Sequence, residues 1–443
     1  MISDFTKKLL HKKFYIDSRL VKENAVFICI KGPKNDGHKF IKSILNKYKK
    51  TIIICEKKSK YSKIYIDNKR VFFCNSSIQF IKDLAKINRL ILDKSFFIGI
   101  TGSSGKTTLK EMLYSVLSKF EFTYKSPKSF NNEIGLPYTL INQSKRSKFN
   151  IYEIGMNNFG EIDHLTKILR PNLGIITNIG EAHLGNLGSL KNIAKAKSEI
   201  INNITNGGTV ILNHDCKFFQ KLKKISKKKK LRVFSFGINF NSTISYKILN
   251  KNLINIKFKK KYFKLRLRDL SLNNINNVLT CILTLDLLNL KLSRAKNTLI
   301  NSRNINGRGN KINLKKNIEI IDDSYNSNPV SLKNSIIEFW KINTKKKKIL
   351  VIGDMLELGK FSSKKHADVA KYLKRMKFDR IYLIGKEVVK IFKQIKSTFW
   401  CKYYKNVNSF SKDFNNVLLE NTIIMFKASN GVGLYKLLNK KFY

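Results

Sequence analysis

Phe96-Phe97-Ile98-Gly99-Ile100-Thr101-Gly102-Ser103-Ser104-Gly105-Lys106-Thr107-Thr108 is the stretch from which the fold is read. Its first half is a continuous apolar run, the pattern of a strand buried on both faces. Its second half is a small-residue loop. The segment after it, Leu109 to Phe120, carries Leu109, Met112, Leu113, Val116, Leu117 and Phe120 at helical spacing. Strand, glycine loop and helix together make a phosphate cradle. Glycines let backbone N–H groups approach phosphate oxygens, and the helix N-terminus adds a favourable dipole. Lys106 is placed to reach the β- and γ-phosphates, and Thr107 a Mg²⁺ ion. The loop departs from G-x-x-x-x-G-K-T, because the position of its first glycine is Ile100. A shorter variant, T-G-S-S-G-K-T, stands instead.

The whole chain has 443 residues, which predicts two or three domains. No run of eighteen apolar residues occurs and Met1 to Leu10 lacks a signal-peptide core, so a soluble, cytoplasmic protein without membrane insertion is expected. Six cysteines are scattered without a C-x-x-C pair, which speaks against zinc knuckles and disulfide frameworks. The formal net charge is +57. A nucleic-acid partner is one reading of it. Compositional drift is the other: Lys, Asn, Ile and Phe are abundant even in loops, and basic residues are spread over the whole length rather than gathered on one module. Drift is favoured, and no nucleic-acid partner is expected. A basic P-loop protein bound to nucleic acid remains the alternative from a different functional class.

Taken in order, residues 1–84 read as a small N-terminal α/β domain with strands at Ala25 to Ile30, Thr51 to Cys55 and Arg70 to Cys74. Asp17-Ser18-Arg19 and Asp36-Gly37-His38 stand out there, though turn chemistry alone accounts for both. Residues 85–310 read as a central P-loop ATPase-like domain with a parallel sheet, since strands at Phe149 to Ile154, Leu173 to Thr177 and Thr209 to Leu212 alternate with helices. Residues 311–443 read as a C-terminal Rossmann-like domain, with strands at Ile318 to Ile321, Lys348 to Ile352, Ile381 to Ile384 and Thr422 to Phe426. The class is α/β in three domains, hinged near Gly307-Arg308-Gly309. In parallel sheets ligands bind beyond the carboxyl ends of the strands. Glu153, Asn178, Glu181 and His183 fall there.

These residues resemble the Mur ligase family, the ATP-dependent amide ligases of peptidoglycan synthesis. The resemblance runs through T-G-S-S-G-K-T, Ser129-Phe130-Asn131-Asn132-Glu133-Ile134-Gly135-Leu136-Pro137, Tyr152-Glu153-Ile154-Gly155-Met156-Asn157, Thr177-Asn178-Ile179-Gly180-Glu181-Ala182-His183 and Ala196-Lys197-Ser198-Glu199. Asp322-Asp323-Ser324-Tyr325-Asn326-Ser327-Asn328-Pro329, Gly353-Asp354-Met355-Leu356-Glu357-Leu358-Gly359 and His366 are similar to the branch that adds D-alanyl-D-alanine. The branch that adds a diamino acid usually carries Asp-Asn-Pro-Arg, which is absent here; it is the alternative within the family. Asn273 stands where the family often has His, and Lys427-Ala428-Ser429 where it has Lys-Gly-Ser.

The resemblance implies a monomeric ligase that joins D-alanyl-D-alanine to a UDP-N-acetylmuramoyl-tripeptide through an acylphosphate. It also implies residue roles. Gly102, Ser103, Ser104, Gly105, Lys106, Thr107 and Thr108 would hold ATP phosphates. Asn274, Arg308, Asp322 and Asp323 would contact the rest of the nucleotide. Thr107, Glu153, His183 and Lys197 would hold Mg²⁺ at two sites, Lys197 as a carbamate formed with CO₂. Lys106, His183 and Lys197 carry the catalytic roles. Asp17, Ser18 and Arg19 would lie near the UDP end, and Tyr325, Asn326 and Asn328 near the acceptor dipeptide.

Overall fold

The computed structural model describes residues 8–33, 35–127, 130–301 and 306–442. Ser129 of the Ser-Phe-Asn-Asn motif and the first seven residues lie outside them. Three sheets follow one another along the chain.

The first sheet is wholly parallel, with strands Phe14–Tyr15, Val26–Ile28, Ile52–Glu56 and Val71–Cys74 side by side in that order. Side chains alternate between its faces, as a pleated strand requires. Phe27, Cys29, Ile53 and Cys55 pack on one side with Ile41 and Ile44 of the helix Ile41–Lys47. Val26, Ile28 and Ile54 enter the cluster shared with the rest of the molecule. Asp36 accepts from the His38 amide at 3.0 Å and meets its ring Nδ1 at 2.6 Å, while His38 Nε2 accepts from the Glu56 amide at 3.0 Å. His38 is therefore a buried strut between a turn and a strand, as turn chemistry predicts.

The second sheet has nine strands. Seven neighbouring strands are parallel: Phe96–Thr101, Thr123–Lys125, Phe149–Glu153, Leu173–Ile176, Thr209–Asn213, Arg232–Gly237 and Ile244–Asn250. Beyond them Leu253–Phe258 and Lys261–Arg266 extend the sheet in antiparallel pairing. Phe96–Thr101 lies between Phe149–Glu153 and Leu173–Ile176. The chain runs outward on one side of it and then returns to build the other side. That reversal is the topological switch point of a doubly wound sheet, where ligands bind. The third sheet places Asn310–Leu314 antiparallel to Ile318–Asp322, and then Thr422–Lys427, Lys347–Gly353, Arg380–Ile384 and Cys401–Tyr404 in parallel.

Two expected boundaries fall inside elements. The 84/85 division cuts the continuous helix Ser77–Ile91, which Ser76 caps by accepting from the Gln79 amide. This helix docks on the central unit: Asn88 donates to the Leu140 carbonyl at 2.6 Å, and Arg89 donates to the Leu169 and Arg170 carbonyls at 2.6 and 2.9 Å. The 310/311 division falls at the start of the strand Asn310–Leu314, and because the Gly309 amide donates to the Asp322 carbonyl at 2.8 Å and the Tyr325 amide to the Gly307 carbonyl at 2.9 Å, Arg308 packs with the third unit rather than the central one. The basic run Lys227 to Lys230 is exposed, and its first two residues end the helix Phe219–Lys228, where the helix dipole favours cations.

Candidate active site

The loop after Phe96–Thr101 turns on two glycines with left-handed backbone. Gly102 has φ 151°, and a Cβ there would lie 1.9 Å from Thr177 Oγ1; Gly105 has φ 80° and precedes the helix Lys106–Leu117. Thr177 Oγ1 donates to the Ser104 carbonyl at 2.7 Å, and the Asn178 amide oxygen accepts from the Ser103 and Ser104 amides at 3.0 and 2.9 Å. The end of the neighbouring strand thus moulds the loop. The helix itself begins without a side-chain cap. Its first-turn N–H groups need acceptors, of the kind that phosphate oxygens can supply. Gly102→Ala is expected to destabilise the protein by about 1–3 kcal/mol through strain and collision with Thr177. Urea unfolding measures it, and nucleotide binding should fall with it.

Thr107 and Glu153 form the centre. Thr107 Oγ1 donates to Glu153 Oε2 at 2.6 Å and accepts from Arg308 Nη2 at 3.0 Å. Asn131 Nδ2 donates to Glu153 Oε1 at 2.8 Å. Glu153 is buried. Burial alone would push its carboxyl up, but the charge of Lys106, the Thr107 bond, and the charges of Arg308 and Lys110 together hold it below the usual carboxylate value. Glu153 is therefore an anion at neutral pH. Lys106 donates to the Gly102 carbonyl at 2.9 Å, and burial lowers its pKa against the opposing pull of Glu153. A hydroxyl and a carboxylate beside a phosphate cradle are hard oxygen donors of the kind Mg²⁺ takes together with nucleotide phosphates. Among the described residues no three His, Cys, Asp or Glu side chains form a ready-made metal cage.

Lys197 is buried, on the helix Leu190–Ser198. Burial lowers its pKa well below that of a free lysine, and the positive charge of Lys106 lowers it further. No acidic group answers it among the described residues. His183 heads the short helix Leu184–Leu187 with φ 60°, and its Nδ1 lies 2.7 Å from Glu357 Oε2, an ion-pair distance without hydrogen-bond alignment.

The third unit closes over this site. Besides Arg308, Asn328 Nδ2 lies 3.5 Å from the Ser103 carbonyl, Lys365 pairs with Glu181 at 2.7 Å, and the Gly185 amide donates to the Glu357 carbonyl at 2.9 Å. The Arg308 guanidinium stacks 4.3 Å over the Tyr325 ring.

Known proteins share this arrangement. Residues 100–285 match the family model for the Mur ligase middle domain, and residues 307–430 match that for the Mur ligase, glutamate ligase domain. The UDP-N-acetylmuramoyl-tripeptide--D-alanyl-D-alanine ligase of Borreliella burgdorferi is 33% identical, covering 96% of this chain and 93% of its own. The enzyme of that name from Rickettsia prowazekii is 30% identical, with the same two coverages, 96% and 93%. The chain belongs to the Mur ligase family. Among solved structures, the MurF ligase of Thermotoga maritima in complex with ADP superposes on this Mur ligase with a TM-score of 0.81 at 26% identity, covering 98% of this chain and 99% of that one. MurF from Acinetobacter baumannii, at 24% identity and a TM-score of 0.86 over 98% of both chains, has the same fold.

The expected site residues of this Mur ligase divide by position. Gly102 to Thr107, Glu153, Lys197 and Arg308 gather at the switch point, and Thr108 follows in the helix. His183 meets the third unit through Glu357. Asn274 donates to the Asp269 carbonyl at 2.7 Å, and Asp322 is fully buried, accepting from the Ser324 hydroxyl at 2.5 Å; both are engaged locally. Asp323 pairs with Lys427 at 2.7 Å and accepts from Ser335 at 2.8 Å. Lys427 also donates to the Asn326 carbonyl at 3.1 Å, and Asn328 caps the helix Pro329–Trp340. These contacts hold the Tyr325–Asn328 loop in one shape. Asp17 caps Ser18–Leu20 and pairs with Arg19 at 2.6 Å, with the Arg19 side chain exposed on the first unit. Sequence reading missed the roles of Asn131, which holds Glu153, and of Glu357. Both stand in stretches that carry the resemblance, but nothing within those stretches assigns either residue its partner.

Proposed function

We propose that this Mur ligase uses ATP to join D-alanyl-D-alanine to the terminal carboxylate of a UDP-N-acetylmuramoyl-tripeptide. The products are the UDP-N-acetylmuramoyl-pentapeptide, ADP and phosphate. The observation that carries the chemistry is the Thr107 hydroxyl held between Glu153 and Arg308, one from each side of the cleft. The near-full-length relatives of one name support the substrate assignment.

A carboxylate does not condense with an amine unaided, because its oxygen is a poor leaving group. Transfer of the γ-phosphoryl group to it yields an acylphosphate and ADP. The dipeptide amine then attacks the carbonyl carbon and loses a proton. The tetrahedral intermediate collapses, and phosphate leaves with one oxygen of the former carboxylate. Carboxylate and triphosphate repel each other, so the chain must supply positive charge where they meet. Lys106 and Arg308 approach from opposite domains, and closure excludes water from the acylphosphate.

Thr107 and Glu153 would hold Mg²⁺ and His183 a second ion; the metal supplies charge neutralisation between phosphate and carboxylate oxygens. Lys197 would complete the set as a carbamate. Its burial and lowered pKa favour the neutral amine that CO₂ requires. Asn274 and Asp323 would flank the nucleoside and Tyr325, Asn326 and Asn328 the acceptor, with Asp17, Ser18 and Arg19 toward the UDP end. No described helix is long and apolar enough to cross a membrane, and the reading places the reaction in the cytoplasm.

The test is phosphate release across a panel of UDP-muramoyl-peptides and acceptors. Turnover should require a tripeptide donor together with D-alanyl-D-alanine. Turnover with a dipeptide donor and a diamino acid instead would replace this reading with the neighbouring branch.

A further inference from the structure

The rim of the cleft carries an arrangement that phosphate binding does not explain. Glu357 stands in the segment Gly353 to Gly359 of the third unit with φ 66°, and His183 in the central unit with φ 60°. A non-glycine residue in the left-handed region costs of order 1–3 kcal/mol and persists only where its surroundings enforce it. Here two such residues face each other across a domain boundary. The Gly185 amide binds the Glu357 carbonyl at 2.9 Å, and a Cβ on Gly185 would lie 2.6 Å from the Gly359 nitrogen and 3.0 Å from the Glu357 carbonyl oxygen. Two backbones thus touch at glycines, and the contact delivers the Glu357 carboxylate to 2.7 Å from His183 Nδ1.

The segment bearing Glu357 is rigid. Asp354 accepts from the Lys386, Glu387 and Val388 amides at 2.8 to 3.0 Å. The Met355 amide donates to His366 Nε2 at 3.0 Å and the Leu356 amide to Ser429 Oγ at 2.9 Å. A half-exposed ion pair contributes little stability by itself. What this pair does set is the orientation of a ring. A carboxylate 2.7 Å from one imidazole nitrogen restricts how the ring can turn even without an aligned hydrogen bond, and carboxylate partners tune metal-binding histidines.

We propose that Glu357 is a positioning residue for the ligation reaction: the third unit carries it, it orients the His183 ring, and the metal site at His183 is therefore complete only when the domains close. The inference rests on the ligase reading above for the role of His183. Gly185 and Gly359 are the contact that permits the approach. Closure and completion of the His183 metal site are then one event, so the acylphosphate forms only in a sealed cleft.

The experiment uses the full chain with saturating ADP and titrates Mn²⁺ by electron paramagnetic resonance, alongside the Mg²⁺ dependence of turnover. Glu357→Ala should weaken the later Mn²⁺ binding step and raise the Mg²⁺ requirement 10- to 100-fold, the range for loss of a group that orients a ligand. Glu357→Gln, which keeps an acceptor oxygen within reach, should recover part of the loss. Gly185→Ala keeps the carboxylate but inserts a methyl into the backbone contact, and it should show the same defect. Gly185 lacks a positive φ, so alanine adds no backbone strain of its own; its methyl collides with the Gly359 and Glu357 backbone of the third unit, and an unchanged far-ultraviolet circular dichroism spectrum verifies that the protein is still folded. Wild-type Mn²⁺ affinity and Mg²⁺ requirement in Glu357→Ala would overturn the proposal. A defect in Glu357→Ala with none in Gly185→Ala would overturn its closure step. Failure of the wild-type protein to turn over these substrates would count against the ligase reading instead, and the Mn²⁺ titration would still judge the inference.

Discussion

Replacing Lys106 by alanine is expected to lower the rate of ADP formation about a thousandfold, the range for loss of a preorganised group that meets transition-state charge. The ammonium lies at the start of the helix, bonded to the Gly102 carbonyl at 2.9 Å. A four-carbon stem lets it turn from that carbonyl to a phosphate. Its charge also keeps Glu153 ionised. Removing it should therefore affect phosphoryl transfer and the affinity for Mg²⁺ together, while KM for D-alanyl-D-alanine changes little. Lys106→Arg should not restore activity, because a planar guanidinium does not replace a compact ammonium in a loop shaped by Gly102 and Gly105. Single-turnover ADP formation is the measurement. A Lys106→Ala rate within tenfold of wild type would remove the loop from the chemistry.

Lys197→Ala should abolish ligation on the order of 10³-fold, and, if Lys197 is carbamylated as proposed, short carboxylates such as formate or acetate should restore part of the activity by occupying the carbamate's place. Full activity of that variant in buffer depleted of bicarbonate would sink the carbamate. A stability effect accompanies it. Burial lowers the Lys197 pKa well below its free value, so between the folded and the unfolded value the unfolded chain binds a proton that the folded one does not. Folding stability then rises with pH towards the unfolded lysine value of about 10.4. Lys197→Met removes this penalty. In CO₂-free buffer it should be more resistant to urea than wild type at pH 7, and the gain should shrink towards pH 10.

Those two lysines show what a sequence discloses and what it does not. Lys106 sits in a contiguous motif whose strand, loop and helix are local, so its role is legible. Lys197 is one of many lysines on helices, and only its burial beside Lys106 distinguishes it. The strands of the parallel sheets are legible for the same reason as the loop. Phe97 packs on one side and Ile98 and Ile100 on the other or along it, which leaves an uninterrupted apolar run. The short edge strand Cys401–Tyr404 has no such run and was not foreseen. Nor was the docking of the helix Ser77–Ile91. Its apolar stripe says that it packs, but its partner is chosen by Asn88 and Arg89, which bond carbonyls of Leu140, Leu169 and Arg170 far along the chain. Arg308 illustrates the same limit. Its glycine neighbours suggest a hinge, whereas the 3.0 Å bond to Thr107 is a fact of tertiary structure.

The central claim is that a carboxylate is activated by phosphorylation in the cleft between Lys106 and Arg308. Heavy-oxygen label placed in the terminal carboxylate of the UDP-muramoyl-tripeptide tests it directly, with D-alanyl-D-alanine and ATP supplied and the products analysed by mass spectrometry. The account predicts that each released phosphate carries one labelled oxygen, with ADP as the nucleotide product. Unlabelled phosphate, or AMP and pyrophosphate in place of ADP, would contradict it.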